Sequence, residues 1–160
     1  VGTQSPVESF EQGARIARGG DQLVSTDTIR VRTRGDGDTV NLTDELADGL
    51  ERSGLTDGVA TLFIGGSTGG ITTIEFEPGA VSDLQDVLES LAPKGRDWKH
   101  HLRWGDANGH SHVRSALVGP SLSVPFVAGE LCLGTWQQVV LVDFDDRPRR
   151  REVVVQFIGD

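Results

Sequence analysis

The sequence predicts an α+β fold: one domain on a large mixed or antiparallel β-sheet, with two to three packed helices. Three observations carry this. Segments with the two-residue period of strands outnumber those with helical period. The two kinds do not alternate as β-α-β units would, and from Leu122 to Ile158 the pattern is β throughout. A chain of 160 residues buries about 70% of the surface its unfolded form exposes, so neither a metal nor a disulfide is needed to hold it.

In chain order, residues 1–26 are expected to form an N-terminal extension, poorly structured or weakly helical, and residues 27–160 the domain. Val1 to Gly20 is polar and broken by Gly13, Gly19 and Gly20, with one weak helical turn expected after Ser9. Thr28-Ile29-Arg30-Val31-Arg32-Thr33 alternates as a half-buried strand does, and Gly35-Asp36-Gly37-Asp38 turns the chain. A helix follows: Thr43 is placed to cap it, Asp44 and Glu45 suit the positive end of its dipole, Leu46 and Leu50 share a face, and Gly54 ends it. Val59 to Ile64 and Ile71 to Phe76 are strands separated by Gly65-Gly66-Ser67-Thr68-Gly69-Gly70, the most permissive backbone in the chain. Val81, Leu84, Val87, Leu88 and Leu91 make the apolar stripe of a second helix, stopped by Pro93. A third lies between Gly105 and Gly119, with Asp106 or Asn108 as cap and Val113, Ala116 and Leu117 as its stripe. Val139 to Phe144 and Glu152 to Ile158 are the strongest strands, and Asp145-Asp146-Arg147-Pro148 between them reads as a hairpin connection.

Fifteen Lys and Arg against 24 Asp and Glu give a net charge of −9, with Lys94 and Lys99 the only lysines. A field of that sign opposes nucleic acid and anionic membranes, so neither is expected as a partner. It also keeps a surface hydrated in concentrated salt, and a salt-loving, halophile-like source is the reading of the acidity. No run of about 18 uncharged apolar residues is present, and the start of the chain lacks the order of a secretory signal, so the expected compartment is the cytoplasm. Cys132, the sole cysteine, lies in Leu131-Cys132-Leu133; it excludes an internal disulfide and is expected as a buried, inert thiol.

The densest polar group is Trp98-Lys99-His100-His101 followed by Trp104, Asp106, Asn108, His110 and His112, which holds all four histidines within 13 residues. Imidazole binds metals and moves protons near neutral pH, so His100, His110 and His112 are candidate metal ligands, with Asp106 as a further carboxylate. If Gly109 to Leu117 is helical, however, His110 and His112 are about 200° apart and do not face one ion. The same helix start offers free N–H groups to a phosphate. Gly65 to Gly70 could cradle an anion with its amides and the Ser67 and Thr68 hydroxyls, although it has neither a P-loop ending nor a dinucleotide fingerprint; a tight turn or close backbone packing is the plainer use. Glu75 and Glu77 alternate on a strand, and Glu75 is a candidate general base. Arg149 and Arg151 share a face with Val153 and Val155, where they either hold phosphate or bridge to Asp143 or Asp145. Trp136 and Gln137 form either packing or a stacking wall for a ligand.

Ordered motifs then add a resemblance. Gly66-Ser67-Thr68-Gly69-Gly70-Ile71-Thr72 through Glu75, the Asp83-Leu84 helix, Trp98-x-His100 and Gly105-Asp106-x-Asn108-Gly109-His110-Ser111-His112 are its first carriers. Gly119-Pro120-Ser121-Leu122, Val124-Pro125, Gly129-x-Leu131, Leu133-Gly134-Thr135-Trp136-Gln137-Gln138, and Asp145 with Arg147-Pro148-Arg149-x-Arg151 continue them. From Thr28 to Gly159 the chain resembles the YjbQ-like family, the secondary thiamine-phosphate synthase family. The resemblance implies a compact α+β homotrimer with its polar motif residues in a cleft near a subunit boundary. It also implies an activity, condensation of hydroxymethylpyrimidine diphosphate with thiazole phosphate. In those terms His100, His112 and Glu75 would be catalytic, and Ser67, Thr68, Asp106, Asn108, Trp136, Gln137, Arg149 and Arg151 would bind the phosphorylated small-molecule substrates. A divalent metal is the implied cofactor, magnesium for the diphosphate or zinc at His100, His110 and His112. One departure stands out: many relatives read His-Thr-Thr-Ala where this chain has Gly66-Ser67-Thr68-Gly69, and His110 is the expected spatial substitute for the missing imidazole. The rival readings are a non-enzymatic homotrimer that binds a metal or a phosphate metabolite, and a hydrolase using a His-held metal with Glu75 as base.

Overall fold

Two antiparallel sheets and four helices make up the computed structural model, which describes residues 6–12, 17–19 and 22–160. The large sheet runs β1 (Val7–Gln12), β3 (Gln22–Thr33), β10 (Arg149–Gly159), β5 (Gly58–Ile64), β7 (Ser121–Val127) and β8 (Glu130–Leu131), with β2 (Ala17–Gly19) also on β3. A second sheet orders β4 (Asp38–Asn41), β9 (Gln138–Asp143) and β6 (Gly69–Ile74). The helices are α1 (Thr43–Ser53), α2 (Pro78–Leu91), α3 (Lys99–Trp104) and α4 (Gly109–Val118). The α+β class is as the sequence predicts, with every strand pairing among the described residues antiparallel. Among those residues no helix is long and apolar enough to cross a membrane.

β9 explains the layering. Its apolar run is buried on both faces. Val139 and Leu141 pack with Leu46 and Leu50 of α1 and with Ile29, Leu62, Val153 and Phe157 of the large sheet. Val140 and Val142 pack the other way, with Phe144 and Leu88 of α2. The small sheet is therefore a middle layer, and α4 lies against β6: a Cβ on Gly70 would come 2.7 Å from Val118 Cγ1 and 3.1 Å from the Gly119 carbonyl oxygen. Only glycine allows that approach.

Several expectations are corrected. Asp145 to Pro148 is no hairpin connection: β9 belongs to the small sheet, β10 pairs with β3 and β5, and the segment carries the chain between sheets. Gly65 to Thr68 make the corresponding crossing from β5 to β6, and Gly69 and Gly70 already belong to β6. In place of a helical turn after Ser9, β1 lies along β3, whose outer N–H and C=O groups need partners on that side; residues 1–5, 13–16 and 20–21 lie outside the described residues. Thr43 is the first residue of α1 and not its cap; its N–H and hydroxyl both donate to Asn41 Oδ1, at 2.9 and 2.7 Å. Gly54 ends α1 in the left-handed conformation, as expected. Cys132 is exposed. It follows a strand of only two residues and turns back through Leu133 N–H to the Leu131 carbonyl, so alternation no longer points it inward.

The largest surprise is α4. Its buried residues are Gly109, His110, Ser111, Arg114 and Ser115, whereas Ala116 and Leu117 of the expected apolar stripe are exposed. Partners make the polar side tolerable inside: Ser115 donates to the Gly69 carbonyl at 2.6 Å, and Arg114 donates to the Ala92 carbonyl at 3.0 Å and to Glu89.

Candidate functional site

The crossing loop, α3 and the start of α4 bring the central residues together. Ser67 is exposed on the loop, and its carbonyl oxygen lies 2.9 Å from Nδ1 of the half-buried His112 on α4. A carbonyl only accepts, so Nδ1 carries the proton and the lone pair of neutral His112 sits on Nε2. The His100 ring stands 4.5 Å from the His112 ring, centroid to centroid, at a 46° tilt. Asp106 Oδ1 lies 2.9 Å from His100 Nδ1, without the alignment of a hydrogen bond.

The other two histidines have structural surroundings. His101 Nε2 accepts the Gly109 N–H at 3.2 Å, tying α3 to the start of α4. Trp98 presses on the same glycine, where a Cβ would lie 2.6 Å from the Trp98 Cβ. His110 is fully buried, with Nε2 3.3 Å from Ser111 Oγ and Nδ1 unpaired. Burial, reinforced by the Arg114 charge, holds its pKa below the ordinary imidazole value. Among the described residues no three His, Cys, Asp or Glu side chains gather as a metal site. At the start of α4 Gly109 to Ser111 is buried and the first N–H is taken by His101. Asn108 occupies the cap position without making a capping bond, its Oδ1 buried and unpaired.

The two arginines are committed elsewhere. Arg151 donates from Nε and Nη2 to Asp143, at 2.7 and 2.6 Å, and from Nη2 to Thr68 Oγ1 at 2.8 Å. Arg149 Nε and Thr68 Oγ1 both donate to Asp145 Oδ2 at 2.9 Å. Thr33, which the sequence reading did not single out, completes the network by donating to Asp143 Oδ2 at 2.5 Å. Burial alone would raise the Asp145 carboxyl, but hydrogen bonds from Arg149 and Thr68 and the Arg149 charge outweigh it and hold the pKa at about 2. Of the two uses weighed for Arg149 and Arg151, bridging to Asp143 and Asp145 is the one observed. Thr68 is consumed in the same network. A strand too apolar to face water, ending in Asp143-Phe144-Asp145, was the signal for buried partners.

Glu75, Trp136 and Gln137 are not brought to His112. Thr68 precedes one end of β6, next to Asp143, while Ile74 at the other end pairs with Gln138; a six-residue strand separates these ends by roughly 17 Å. Trp136 is 71% exposed. Gln137 is held by the Gly134 N–H at 3.1 Å and by Thr73 at 3.2 Å. Glu75 is exposed, and Glu77 accepts the Gly79 and Ala80 N–H groups as cap of α2.

The family model described as UPF0047 protein YjbQ-like matches residues 27–160. The chain belongs to this family. Within the UPF0047 family it is 33% identical over 132 residues to the UPF0047 protein MJ1081 of Methanocaldococcus jannaschii, covering 82% of this chain and 92% of that one. It is 31% identical over 134 residues to the UPF0047 protein YugU of Bacillus subtilis, with 82% and 98% covered. Among solved structures, a YbjQ-like protein of unknown function from Sulfolobus solfataricus P2 superimposes with a TM-score of 0.83 at 31% identity, over 87% of this chain and 99% of that one. A protein from Aeropyrum pernix K1 gives 0.79 at 29% identity, over 85% and 99%.

Proposed function

We propose that this UPF0047 family member is a homotrimeric enzyme that joins two phosphorylated heterocycles, condensing hydroxymethylpyrimidine diphosphate with thiazole phosphate to thiamine phosphate and pyrophosphate. The thiazole nitrogen gives its lone pair to the methylene carbon, the carbon–oxygen bond to the diphosphate breaks, and pyrophosphate leaves with that electron pair. No base is consumed, so the protein's tasks are to align two flat rings and to donate hydrogen bonds to the departing group. Magnesium would come with the diphosphate.

The observation that carries this reading is the bond between His112 Nδ1 and the Ser67 carbonyl beside the glycine loop. It is kept in either protonation state, so a protonated His112 has Nε2–H to give to the leaving oxygen. His100 and the Ser67 hydroxyl are the adjoining polar groups. His112→Asn preserves a donor near the position of Nδ1 and removes Nε2. Turnover with both substrates and magnesium is expected to fall by about 100-fold with the melting temperature unchanged; full turnover in this variant would overturn the reading.

Separation of Trp136 and Gln137 from His112 by the length of β6 supports a site completed between copies. The helix layer also leaves Val87, Leu91, Leu102, Trp104 and Leu117 exposed, as an assembling surface would.

A non-enzymatic binder of a phosphate metabolite is the second reading. It is favoured by the commitment of Thr68, Arg149 and Arg151 to Asp143 and Asp145, which leaves few polar groups for chemistry. Calorimetric binding of either substrate with no product from the pair would select it.

A further inference from the structure

One face of the large sheet carries the core, and the other is open among the described residues. On that open face the outward positions of β3, β10, β5 and β7 fall into cross-strand rows. Pro125, Val59, Ile158 and Val24 make one apolar row. Two residues along the strands lies a polar row, Ser123, Thr61, Gln156 and Thr26. Its side chains satisfy one another, the Thr61 and Ser123 hydroxyls at 3.2 Å and Gln156 donating to Thr26 at 3.4 Å. Two residues further, Phe63 and Val154 make a second apolar row. Val59, Phe63 and Val154 are 39%, 48% and 41% exposed, an apolar patch of the kind that marks a contact surface.

Opposite charges bound the rows. Beyond Val59 and Ile158 stand Asp57 and Asp160, both exposed, and neither forms an ion pair among the described residues. A hollow of about 530 Å³ lies at this acidic end, with Asp57, Val59, Thr61, Ile158 and Asp160 among its walls. Beyond Phe63 and Val154 stand Arg30, Arg32 and Arg150 with Glu8 and Glu152, three cations to two anions. Arg150 is the adjustable cation: its side chain is 74% exposed, and the Glu8 carboxylate oxygen it faces is 3.8 Å away, beyond hydrogen-bond length.

We propose that this face binds a second copy of the chain, sheet to sheet, about a twofold axis that lies in the plane of the face and crosses the strands at the Thr61–Gln156 row. Thr61 is midway between Val59 and Phe63, and Gln156 is midway between Ile158 and Val154. The axis therefore lays each apolar row on the partner's other apolar row and brings Phe63 over the partner's hollow. It also sets Asp57 and Asp160 against the partner's Arg30 and Arg150, whereas an axis parallel to the strands would set the acidic ends on each other. Gln156 meets its own counterpart, and an amide both donates and accepts, so the two side chains pair. From the level of Asp57 to that of Gly65, the four strands present roughly 19 by 27 Å. Two copies then bury about 1,000 Å², enough for a specific interface. The contact rests neither on the helix layer nor on the chemistry assigned to His112. With the proposed threefold assembly it gives six copies, and without it two.

The test is the mass of the full chain in solution, by light scattering and sedimentation over a concentration series. An even copy number is expected, six or two according to whether the threefold assembly forms, so the two readings are judged separately. The twofold contact should dissociate with a Kd of about 1 μM. Phe63→Asp alters an exposed side chain and is expected to weaken the contact about 30-fold, halving the mass with the melting temperature kept. Arg150→Glu and Asp57→Arg should each weaken it, and the double variant, which exchanges the two charges, should recover it. A mass of one or three copies that holds as concentration rises would overturn the proposal and leave the face to a different protein. An even mass unchanged in Phe63→Asp would overturn it too, by placing the contact on another surface, and a double variant no tighter than the single ones would overturn the axis.

Discussion

At Asp143 and Asp145 two buried carboxylates each hold an arginine, so removal of a cation leaves an uncompensated charge in the interior. Arg151→Ala should therefore cost about 3–5 kcal/mol, read from urea unfolding, and a loss near zero would show that Arg151 is a replaceable surface cation. The pH dependence has a definite sign. Asp145 titrates at about 2 in the fold against 3.8 ordinarily, so its contribution is complete above about pH 4 and is lost as pH falls toward 2. His110 is depressed from 6.5 by burial first and Arg114 second. The unfolded chain then takes up its proton before the folded one, and stability is lost as pH falls below about 6.5. His110→Gln should flatten the change in urea midpoint between about pH 7 and about pH 5; an unchanged slope would remove His110 from the account.

Elements differ in how far the sequence disclosed them. Strands β3, β5, β9 and β10 and helix α1 were legible because an alternating, continuous or 3.6-residue apolar pattern coincides with burial; α2 was legible from the same period, although of its stripe only Leu88 is buried while Val87 and Leu91 are exposed. α3 was not, since a six-residue helix with Leu102 and Trp104 facing water carries no periodic stripe. α4 was found but turned inside out, because His110, Arg114 and Ser115 reach interior partners that sequence spacing does not reveal. The supposed β9–β10 hairpin failed for a related reason: turn residues mark a change of direction, not which sheet receives the next strand. The position of His112 against Ser67 depends on α4 lying close on β6 at Gly70. Gly70→Ala forces a Cβ onto Val118 and the Gly119 carbonyl, and should destabilise the fold by about 1–3 kcal/mol while lowering turnover at temperatures where the variant remains folded. Destabilisation without any loss of turnover would show that the helix position does not govern the site.

For the molecule as a whole, the site was legible as a list of residue types but not as one place. His100, Asp106, His112 and Ser67 come together at one end of β6, Trp136 and Gln137 lie at the other, and Thr68, Arg149 and Arg151 belong to the core. Spacing along a chain does not say which end of a strand a loop serves, nor whether another copy supplies the missing wall. The proposed homotrimer joins the two ends across a boundary, and the most direct measurement is subunit complementation. His112→Ala and Trp136→Ala chains, each inactive alone, are unfolded together in equal amounts, refolded and assayed for thiamine phosphate formation. With His112 and Trp136 drawn from neighbouring copies, about a quarter of the sites contain both native side chains and about a quarter of wild-type turnover returns; no recovery in correctly assembled mixed trimers would contradict a shared site.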